Sequence, residues 1–263
     1  MSSARWHLKD LPSTLEWVGM RNEQGMRCVI DVLGEYSLTE AQADEALQCC
    51  LDCIDLIAKY ELTASVSIKL TTLGAIFDED LALANALFLA DEARSHEVDF
   101  EMDMEAFKFV DMTIDAAERI RDVASVTLAL QAYLDRTQDD IERLCKDIRV
   151  RLVKGAYTGD MEDFDEIEEM FMKDVAILEE VGLSYGVGTH DPVLIKALEQ
   201  KASRNLVEFG FLKGLADDTK LRLVKGGWKV SEYVPFGKNS EAYVARRTTY
   251  LSRLGELGRS PVP

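Results

Sequence analysis

Two adjacent arginines, Arg246 and Arg247, stand in the stretch NSEAYVARRTTYLSRL, which has the period of a helix. Tyr243 precedes them by three and four residues, so all three side chains can lie on one side of that helix. Paired guanidinium groups bind carboxylates and phosphates, because each planar fork donates two parallel hydrogen bonds. A solvated helix face would have the same spacing, but the chain holds only 30 Lys and Arg against 48 Asp and Glu. We therefore favour an anion-binding pair.

Other polar residues directly follow short apolar runs of the chain. A lysine in such a place can form a Schiff base with a carbonyl substrate, so an aldolase that uses Lys69 or Lys154 is one hypothesis. Lys69 can equally be the partner that keeps Asp103 ionised. The full set comprises Lys69, Asp103 with Glu105, Gln131 with Tyr133, Arg151 with Lys154, Thr189 with His190, Lys213 and Tyr233.

Two of these sets have a more ordinary interpretation. Asp103 and Glu105 are two apart in a predicted strand, which puts them on one face, but they have too few histidines around them for a metal site to be favoured. His190 is a lone imidazole, and such residues are usually satisfied core histidines. Because it follows Thr189 at a predicted strand end, it could instead donate a hydrogen bond to a phosphate.

The five cysteines are an odd number for a disulfide framework. Cys49, Cys50 and Cys53 lie in ALQCCLDCIDLI, which reads as one amphipathic helix, and Cys28 and Cys145 add no ligands at the spacing of a zinc site. We expect reduced thiols packed in the core.

The stretch RLVKGAYTGD places Arg151 shortly before Gly155 and Ala156. Small residues at that point would leave the strand end uncovered, so that something flat could approach the backbone. A flavin would suit, because its reduction places negative charge near N1 and N5, and a fixed guanidinium beside N5 would stabilise that charge.

These residues depend on an alternation of strands and helices along the chain. The segment 39–60 opens with a capping-box pattern at Thr39 and carries an apolar face, as a helix on a sheet does. No GxGxxG follows the first strand, and eight repeats favour a closed (β/α)₈ barrel over an open sheet. We expect a lead-in at 1–26, one catalytic barrel at 27–258 and a tail at 259–263. The predicted strands are CVIDVLG from 28, SVSIKL from 65, VDFEMD from 98, VTLALQAY from 126, IRVRLVKG from 148, YGVGTH from 185, LVEFGFL from 206 and KVSEYVPF from 229.

Composition excludes several classes of protein. The net charge of −18 repels nucleic acid and anionic headgroups, so we expect no nucleic-acid partner. No apolar run approaches the roughly 20 residues of a membrane span, and the start MSSARWHLKD lacks the apolar core of a signal peptide. We therefore expect a cytoplasmic protein.

Eight motifs, in order, resemble those of the proline dehydrogenases, both the monofunctional enzymes and the corresponding domain of proline utilization A. They are SIKLTTLG, FEMDMEAF, LALQAYLDRT, RLVKGAY, GTHD, EFGFLKG, YVPFG and AYVARR, and the resemblance runs from about residue 28 to 250. Each motif stands at a predicted strand end or on the last helix. The resemblance implies a distorted (β/α)₈ barrel with its last helix over the mouth.

The same resemblance implies FAD as cofactor and oxidation of L-proline to Δ1-pyrroline-5-carboxylate, the first step of proline catabolism. A hydride would pass from the carbon beside the amine to flavin N5, and the electrons would go on to a quinone or another acceptor. A quinone would entail transient membrane association, and a homo-oligomer is compatible with the sequence. We also keep three alternatives open, namely a flavin dehydrogenase of a related cyclic or N-alkyl amino acid, a Schiff-base aldolase and a catalytically silent proline sensor.

Residue roles carry over by motif. Arg246, Arg247 and Lys69 would bind the substrate carboxylate, and Tyr233, Tyr243 and Leu212 would shape the pocket around the ring. Asp103, Arg151 and Tyr233 form the implied catalytic set, with Arg151 at flavin N5. The implied cofactor-binding residues are Met104, Gln131, Arg151, Lys154, Gly155, Ala156, Thr189 and His190.

The chain departs from the family pattern at three places. Thr158 stands where an aromatic usually follows KGAY, and Tyr250 stands where a glutamate usually follows the second arginine. Both changes concern the grip on the adenosine half of FAD. In addition, the helices that usually precede the barrel are nearly absent.

Overall fold

The computed structural model describes residues 5–259, in which eight parallel strands close into a barrel in chain order. Each strand pairs with its two neighbours, and the closing pair sets Arg27 beside Ser231 and Val32 beside Phe236. The predicted (β/α)₈ barrel and its eight strands are therefore confirmed. The strands are β1 Arg27–Val32, β2 Ala64–Ile68, β3 Asp99–Met102, β4 Val126–Gln131, β5 Arg149–Val153, β6 Tyr185–Gly188, β7 Val207–Leu212 and β8 Lys229–Phe236.

A helix follows every strand, and one more precedes the barrel. Within residues 5–259 none of these helices is long and apolar enough to cross a membrane. The helices are α1 Leu11–Glu23, α2 Glu40–Lys59, α3 Glu79–Ser95, α4 Val110–Ile120 after a 3₁₀ turn at Phe107–Phe109, α5 Thr137–Leu144, α6 Phe164–Val181, α7 Pro192–Lys201, α8 Asp217–Lys225 and α9 Glu241–Glu256.

The sequence signals of α2 act as expected. The Thr39 side chain accepts a hydrogen bond from the backbone N–H of Gln42, and the Gln42 side-chain oxygen accepts one from the backbone N–H of Leu38. Two backbone N–H groups at the helix start are therefore paired, as in a capping box. The buried face packs on the barrel through Ala43, Ala46, Cys50, Cys53, Ile54 and Ile57. All five cysteines are free thiols, four of them buried, as predicted for core residues.

The lead-in before β1 contains α1, which is fixed to the outside of β8. Trp17 donates to the Glu232 carboxylate at 2.7 Å, and the buried Arg21 guanidinium lies 3.0 Å from the same group. Lys220 of α8 completes this buried ion cluster. The first four residues of the predicted lead-in, and all of the predicted tail except Arg259, lie outside the described residues, so the proposed domain boundaries stay a prediction.

The barrel interior is charged along one column, whereas barrels of this type are mostly filled by Val, Ile and Leu. Arg27 at the start of β1 donates to Glu101 at 2.6 Å and lies 3.1 Å from Glu208. Arg151 on β5 lies 3.1 Å from Glu101 on its other side. This column leads from the amino ends of the strands to their carboxyl ends, where the predicted site residues lie.

Candidate active site

Asp103 is the centre of the polar network at the mouth of the barrel. Its Oδ2 lies 2.8 Å from Lys69 Nζ and accepts a hydrogen bond from the Tyr233 hydroxyl. Its Oδ1 accepts from Ser67 at 3.1 Å and forms an ion pair with Arg151. Asp103 is therefore in direct contact with the other two predicted catalytic residues, Arg151 and Tyr233, and with Lys69.

This network fixes the charges of its members. Burial alone would raise the pKa of Asp103, but the Lys69 ammonium and the Arg151 guanidinium outweigh burial and hold that pKa well below its usual value. Burial would lower the pKa of Lys69, yet Asp103 and Asp31, the latter 2.7 Å away, raise it well above the usual range. A Schiff-base lysine must lose its proton to attack, so the structure opposes the aldolase hypothesis for Lys69.

Glu105 has surroundings different from those of Asp103. We expected the two carboxylates to share one face of a strand, but β3 ends at Met102 and both lie in the following loop, so this expectation is wrong. Glu105 is buried and accepts hydrogen bonds from the backbone and hydroxyl groups of Thr71, and burial raises its pKa to about 7. It contacts the predicted cofactor residue Gln131 through its backbone carbonyl, which accepts from the Gln131 amide at 3.3 Å.

Arg151 lies on β5 with space made for it by the next strand. A side chain at Gly186 would bring its Cβ to 3.3 Å from Arg151 Cγ, so the missing side chain leaves room for the aliphatic part of Arg151 beside β6. The guanidinium carbon lies 5.5 Å from the centre of the Tyr233 ring. Burial opposes the charge, but Glu101 and Asp103 raise the Arg151 pKa above its usual value.

Two buried polar atoms, one at the end of β4 and one in the middle of β5, test whether a flavin fits. Gln131 Oε1 and Arg151 Nε have no hydrogen-bond partner among residues 5–259. The two strands are adjacent, with Ala129 beside Arg151 and Gln131 beside Val153. One free acceptor and one free donor on neighbouring strands match the edge of a heterocycle that carries both an N–H group and acceptor atoms, as a flavin does. The residues present therefore fit the implied cofactor.

Lys154, directly after β5, is held by two acids. Its Nζ lies 3.0 Å from Glu168 on α6 and 3.0 Å from Asp191, the residue that caps α7. It also lies 4.6 Å from the centre of the Phe164 ring. The Schiff-base alternative for Lys154 would require both ion pairs to break.

Thr189 and His190 follow β6 and are both buried. The Thr189 hydroxyl accepts from the backbone of Asp191 at 3.2 Å, and His190 Nε2 accepts from the backbone of Leu212 at 2.9 Å. Burial lowers the His190 pKa well below its usual value, so the ring stays neutral. Because Nε2 accepts, the neutral ring carries its proton on Nδ1, and donation from Nδ1 to a phosphate stays a prediction. Tyr250 lies beside it, with ring centres 6.2 Å apart.

The strand end at Gly155 is not uncovered, contrary to our expectation. A side chain added there would fall inside the Tyr133 ring, which packs directly on the backbone. Ala156 is exposed, as is Thr158. On the side where the Cβ of Gly155 would stand, the flat group that approaches the backbone is therefore the Tyr133 ring.

Arg247 is the predicted anion-binding residue with the least satisfied surroundings. Its side chain is buried, with 3% of the residue exposed, and it donates to the Lys213 carbonyl at 2.9 Å and to the Tyr243 hydroxyl. Its guanidinium carbon lies 4.5 Å from the centre of the Tyr243 ring. No carboxylate pairs with it in the described part of the chain, its Nε has no partner, and burial lowers its pKa to about 9. Arg247 therefore has a charge and an unused donor with which it could bind an anion.

Arg246 faces a different set of groups. It forms an ion pair with Glu35, in the loop after β1, and its guanidinium carbon lies 4.8 Å from the centre of the Tyr157 ring. The two arginines thus differ, because one already has an acid and the other has none. The remaining predicted residues, Met104 and Leu212, lie in the loop after β3 and at the end of β7, the first buried and the second half-buried.

Three acids of the site were missed by sequence reasoning. Asp31 pairs with Lys69, Glu101 with Arg151, and Glu35 with Arg246. Asp31 and Glu101 are acids flanked on both sides by apolar residues within their strands, and that interruption is a signal that could have found them. Glu35 carries no such signal, because its partner is far away in the sequence.

Comparisons with known proteins identify the family of the chain. The family model described as proline dehydrogenase matches residues 15–168. Proline dehydrogenase 2 of Bacillus subtilis strain 168 is 31% identical over 90% of this chain and 82% of its own length. Proline dehydrogenase of Deinococcus radiodurans is 28% identical over 93% of this chain and 84% of its own length.

A solved structure shows the same fold. The crystal structure of proline utilization A from Bdellovibrio bacteriovorus superposes with a TM-score of 0.82 at 19% identity over 92% of this chain. The matched part is 32% of that longer protein, so the chain spans about a third of it. Given the family model and the similarity over most of the length of the curated relatives, the chain belongs to the proline dehydrogenase family.

Proposed function

We propose that this protein oxidises L-proline to Δ1-pyrroline-5-carboxylate with bound FAD, the first step of proline catabolism. Membership of the family implies a flavin, proline as substrate and an electron acceptor. The observation that carries the proposal is Arg247, a buried guanidinium without a carboxylate partner among residues 5–259. An amino acid substrate supplies the missing carboxylate.

The substrate carboxylate would bind Arg247 first, because Arg246 is already paired with Glu35. A buried guanidinium loses its hydration on folding, and a bidentate carboxylate replaces those lost hydrogen bonds. Tyr243 holds Arg247 in place through its hydroxyl and its ring. With Tyr233 and Leu212, Tyr243 would form the wall around the ring of the substrate.

The Asp103 network would fix the charges of the site before the substrate binds. Lys69 and Arg151 are both held as cations by Asp103, and the Tyr233 hydroxyl donates to the same carboxylate. Burial and Asp103 raise the pKa of Tyr233 well above its usual value, so its hydroxyl keeps its proton. Preorganised charges of this kind act without reorganisation during the reaction.

The flavin, when bound, would accept the hydride that leaves the carbon beside the amine. Gln131 would hold the pyrimidine edge through its free acceptor, and Arg151 would place its free N–H near N5. The other residues proposed to line the cofactor are Met104, Lys154, Gly155, Ala156, Thr189 and His190, whose Nε2 accepts from the Leu212 backbone while Nδ1 keeps the ring proton.

The electrons would then pass to a quinone or another acceptor. With a net charge of −18, the chain is repelled by anionic headgroups, which favours only transient contact with a membrane. We also propose a cytoplasmic location, while the sequence is compatible with a homo-oligomer.

The proposal is tested with the purified protein and a panel of substrates. Heat release of the bound flavin followed by chromatography should give FAD, and incubation with L-proline should give a product lighter by two hydrogen atoms. A protein with bound flavin that oxidises only an N-alkyl or larger cyclic amino acid would replace proline as substrate. A protein that binds proline without oxidising it would be a sensor, and the proposed activity would be wrong.

A further inference from the structure

The loop between β5 and α6, residues 154–163, is folded around one side chain, Tyr133. The Tyr133 N–H donates to the Lys154 carbonyl at 3.1 Å. The Tyr133 carbonyl accepts from the N–H groups of Asp160 and Met161, both at 3.1 Å. The loop therefore leaves the backbone of Tyr133 at one end and returns to it at the other.

The Tyr133 ring fills the space that this loop encloses. The residue is 4% exposed, and its ring lies against two glycines of the loop. A Cβ at Gly155 would fall on one edge of the ring, and a Cβ at Gly159 would fall on the opposite edge. Gly155 has φ +126°, which requires glycine in any case, whereas Gly159 lies outside the left-handed region. The ring alone therefore explains why position 159 lacks a side chain.

The shape of Tyr133 matters here more than its hydroxyl group. The hydroxyl oxygen makes no hydrogen bond of good geometry within the described residues, and burial raises its pKa to about 12 against a smaller opposing effect of the nearby Tyr157 backbone. A buried hydroxyl without a partner adds no net stabilisation. Phenylalanine would keep every contact that the ring makes with the two glycines.

The loop carries groups of the proposed cofactor site and a group that contacts Arg246 of the proposed substrate site. Lys154, Gly155 and Ala156 stand at its start, on the side assigned to the cofactor. Tyr157 follows them, with its hydroxyl 3.4 Å from Glu35 and its ring 4.8 Å from the Arg246 guanidinium carbon. A change in the path of the loop would move both sets together.

We propose that Tyr133 is a positioning residue, whose ring, received by Gly155 and Gly159, sets the path of the loop that presents Lys154, Gly155 and Ala156 to the flavin. This inference rests on the proposed function for the identity of the ligand. The packing of ring and loop is a property of the protein before any flavin binds, so it can be tested separately.

Two measurements on the purified protein test the proposal. The first is the dissociation constant of FAD, obtained by titrating flavin-free protein, and the second is amide hydrogen exchange of residues 155–163 without flavin. The variants are Gly159→Ala, Tyr133→Phe, Tyr133→Ala and the double variant Tyr133→Ala with Gly159→Ala. The matched control is Gly19→Ala on α1, where an added Cβ meets nothing within 4 Å.

Gly159→Ala should weaken FAD binding about ten-fold, which corresponds to about 1.4 kcal/mol, and should speed exchange in the loop. Tyr133→Phe and the Gly19 control should stay within about two-fold of wild type. In the double variant the added methyl has room, so Gly159→Ala should cost much less than it does beside the intact ring. Such non-additivity is the signature of a direct ring-to-loop contact, which a general loss of stability would not give.

Wild-type FAD affinity and exchange in Gly159→Ala would overturn the proposal, as would equal weakening in Tyr133→Phe and Tyr133→Ala. If Gly159→Ala does not fold, Tyr133→Ala decides in its place, and unchanged FAD affinity there would overturn the proposal. A wild-type protein that binds no flavin would contradict the proposed function instead, and loop exchange in the variants would still judge the role of Tyr133.

Discussion

Lys69 Nζ lies 2.8 Å from Asp103 Oδ2, where the carboxyl ends of β2 and β3 meet. Asp103 also pairs with Arg151, so a single carboxylate neutralises cations from two different strands. Without Asp103, Lys69 and Arg151 keep Asp31 and Glu101 as acid partners, but the two cations and the Tyr233 hydroxyl lose the group that joins them. This relationship makes Asp103 the group on which the arrangement of the site depends.

Asp103→Ala should therefore reduce proline oxidation far more than Glu105→Ala does. Glu105 contacts Thr71 and holds no cation within ion-pair distance among residues 5–259. Turnover numbers of the two variants at saturating proline, on protein with equal flavin content, give the comparison. Comparable losses in both would show that the wrong carboxylate has been assigned.

Arg247→Met should raise the Michaelis constant for proline, because a desolvated carboxylate contact is lost. The corresponding loss of binding free energy is about 2 to 5 kcal/mol. Arg246→Met should also weaken binding, while Arg253→Met, at an exposed position on the same helix, serves as the control. Steady-state kinetics check both variants. Wild-type Michaelis constants in both Arg246→Met and Arg247→Met would exclude the carboxylate site.

Much of this arrangement could be predicted from the sequence. Strands appear as apolar runs of limited length and the helices between them have a different period, so Lys69, Asp103, Arg151 and Tyr233 could be placed at the mouth of a barrel. The alternation does not say where a strand ends, which is why Asp103 and Glu105 were assigned to one face. The packing of the Tyr133 ring on Gly155 and Gly159 could not be predicted, because it joins segments through shape and leaves no periodic pattern.

Asp174 on α6 should make stability depend on pH. It is 0% exposed, and burial raises its pKa to about 7 from an ordinary value of 3.8, with Gln138 offsetting only part of the rise. The folded protein then binds more protons than the unfolded chain between these two values, so this group lowers stability as pH rises through that window. Asp174→Asn should increase the free energy of unfolding by about 1 to 3 kcal/mol at pH above about 7 and change it little at about pH 4.

Urea unfolding at both pH values measures this effect. Glu180→Gln, an exposed carboxylate on the same helix, is the control and should change stability equally little at each pH. An Asp174→Asn variant that is less stable than wild type above about pH 7 would mean that the carboxylate is ionised and has a favourable partner.

The protein should bind FAD but release it readily. Thr158 and Tyr250 replace an aromatic and a glutamate of the family pattern, and each lost contact is worth roughly 1 to 3 kcal/mol. Tyr250 packs near Phe164, with ring centres 6.5 Å apart, so it can offset part of the loss by offering an aromatic surface to adenine. Tyr250→Ala should then reduce the flavin that remains after long dialysis. Stoichiometric FAD in the dialysed wild-type protein, or FMN as its only flavin, would contradict this prediction.

Proline oxidation by the bound flavin is tested by mixing the FAD-loaded protein with L-proline without oxygen and following the visible absorbance of the flavin. In wild type the absorbance should bleach. In Arg151→Met, with its flavin content matched, bleaching should be about 100 to 1,000 times slower, because a charge that stabilises the transition state is missing. An FAD-loaded wild-type protein that keeps its full absorbance in excess L-proline would contradict the account.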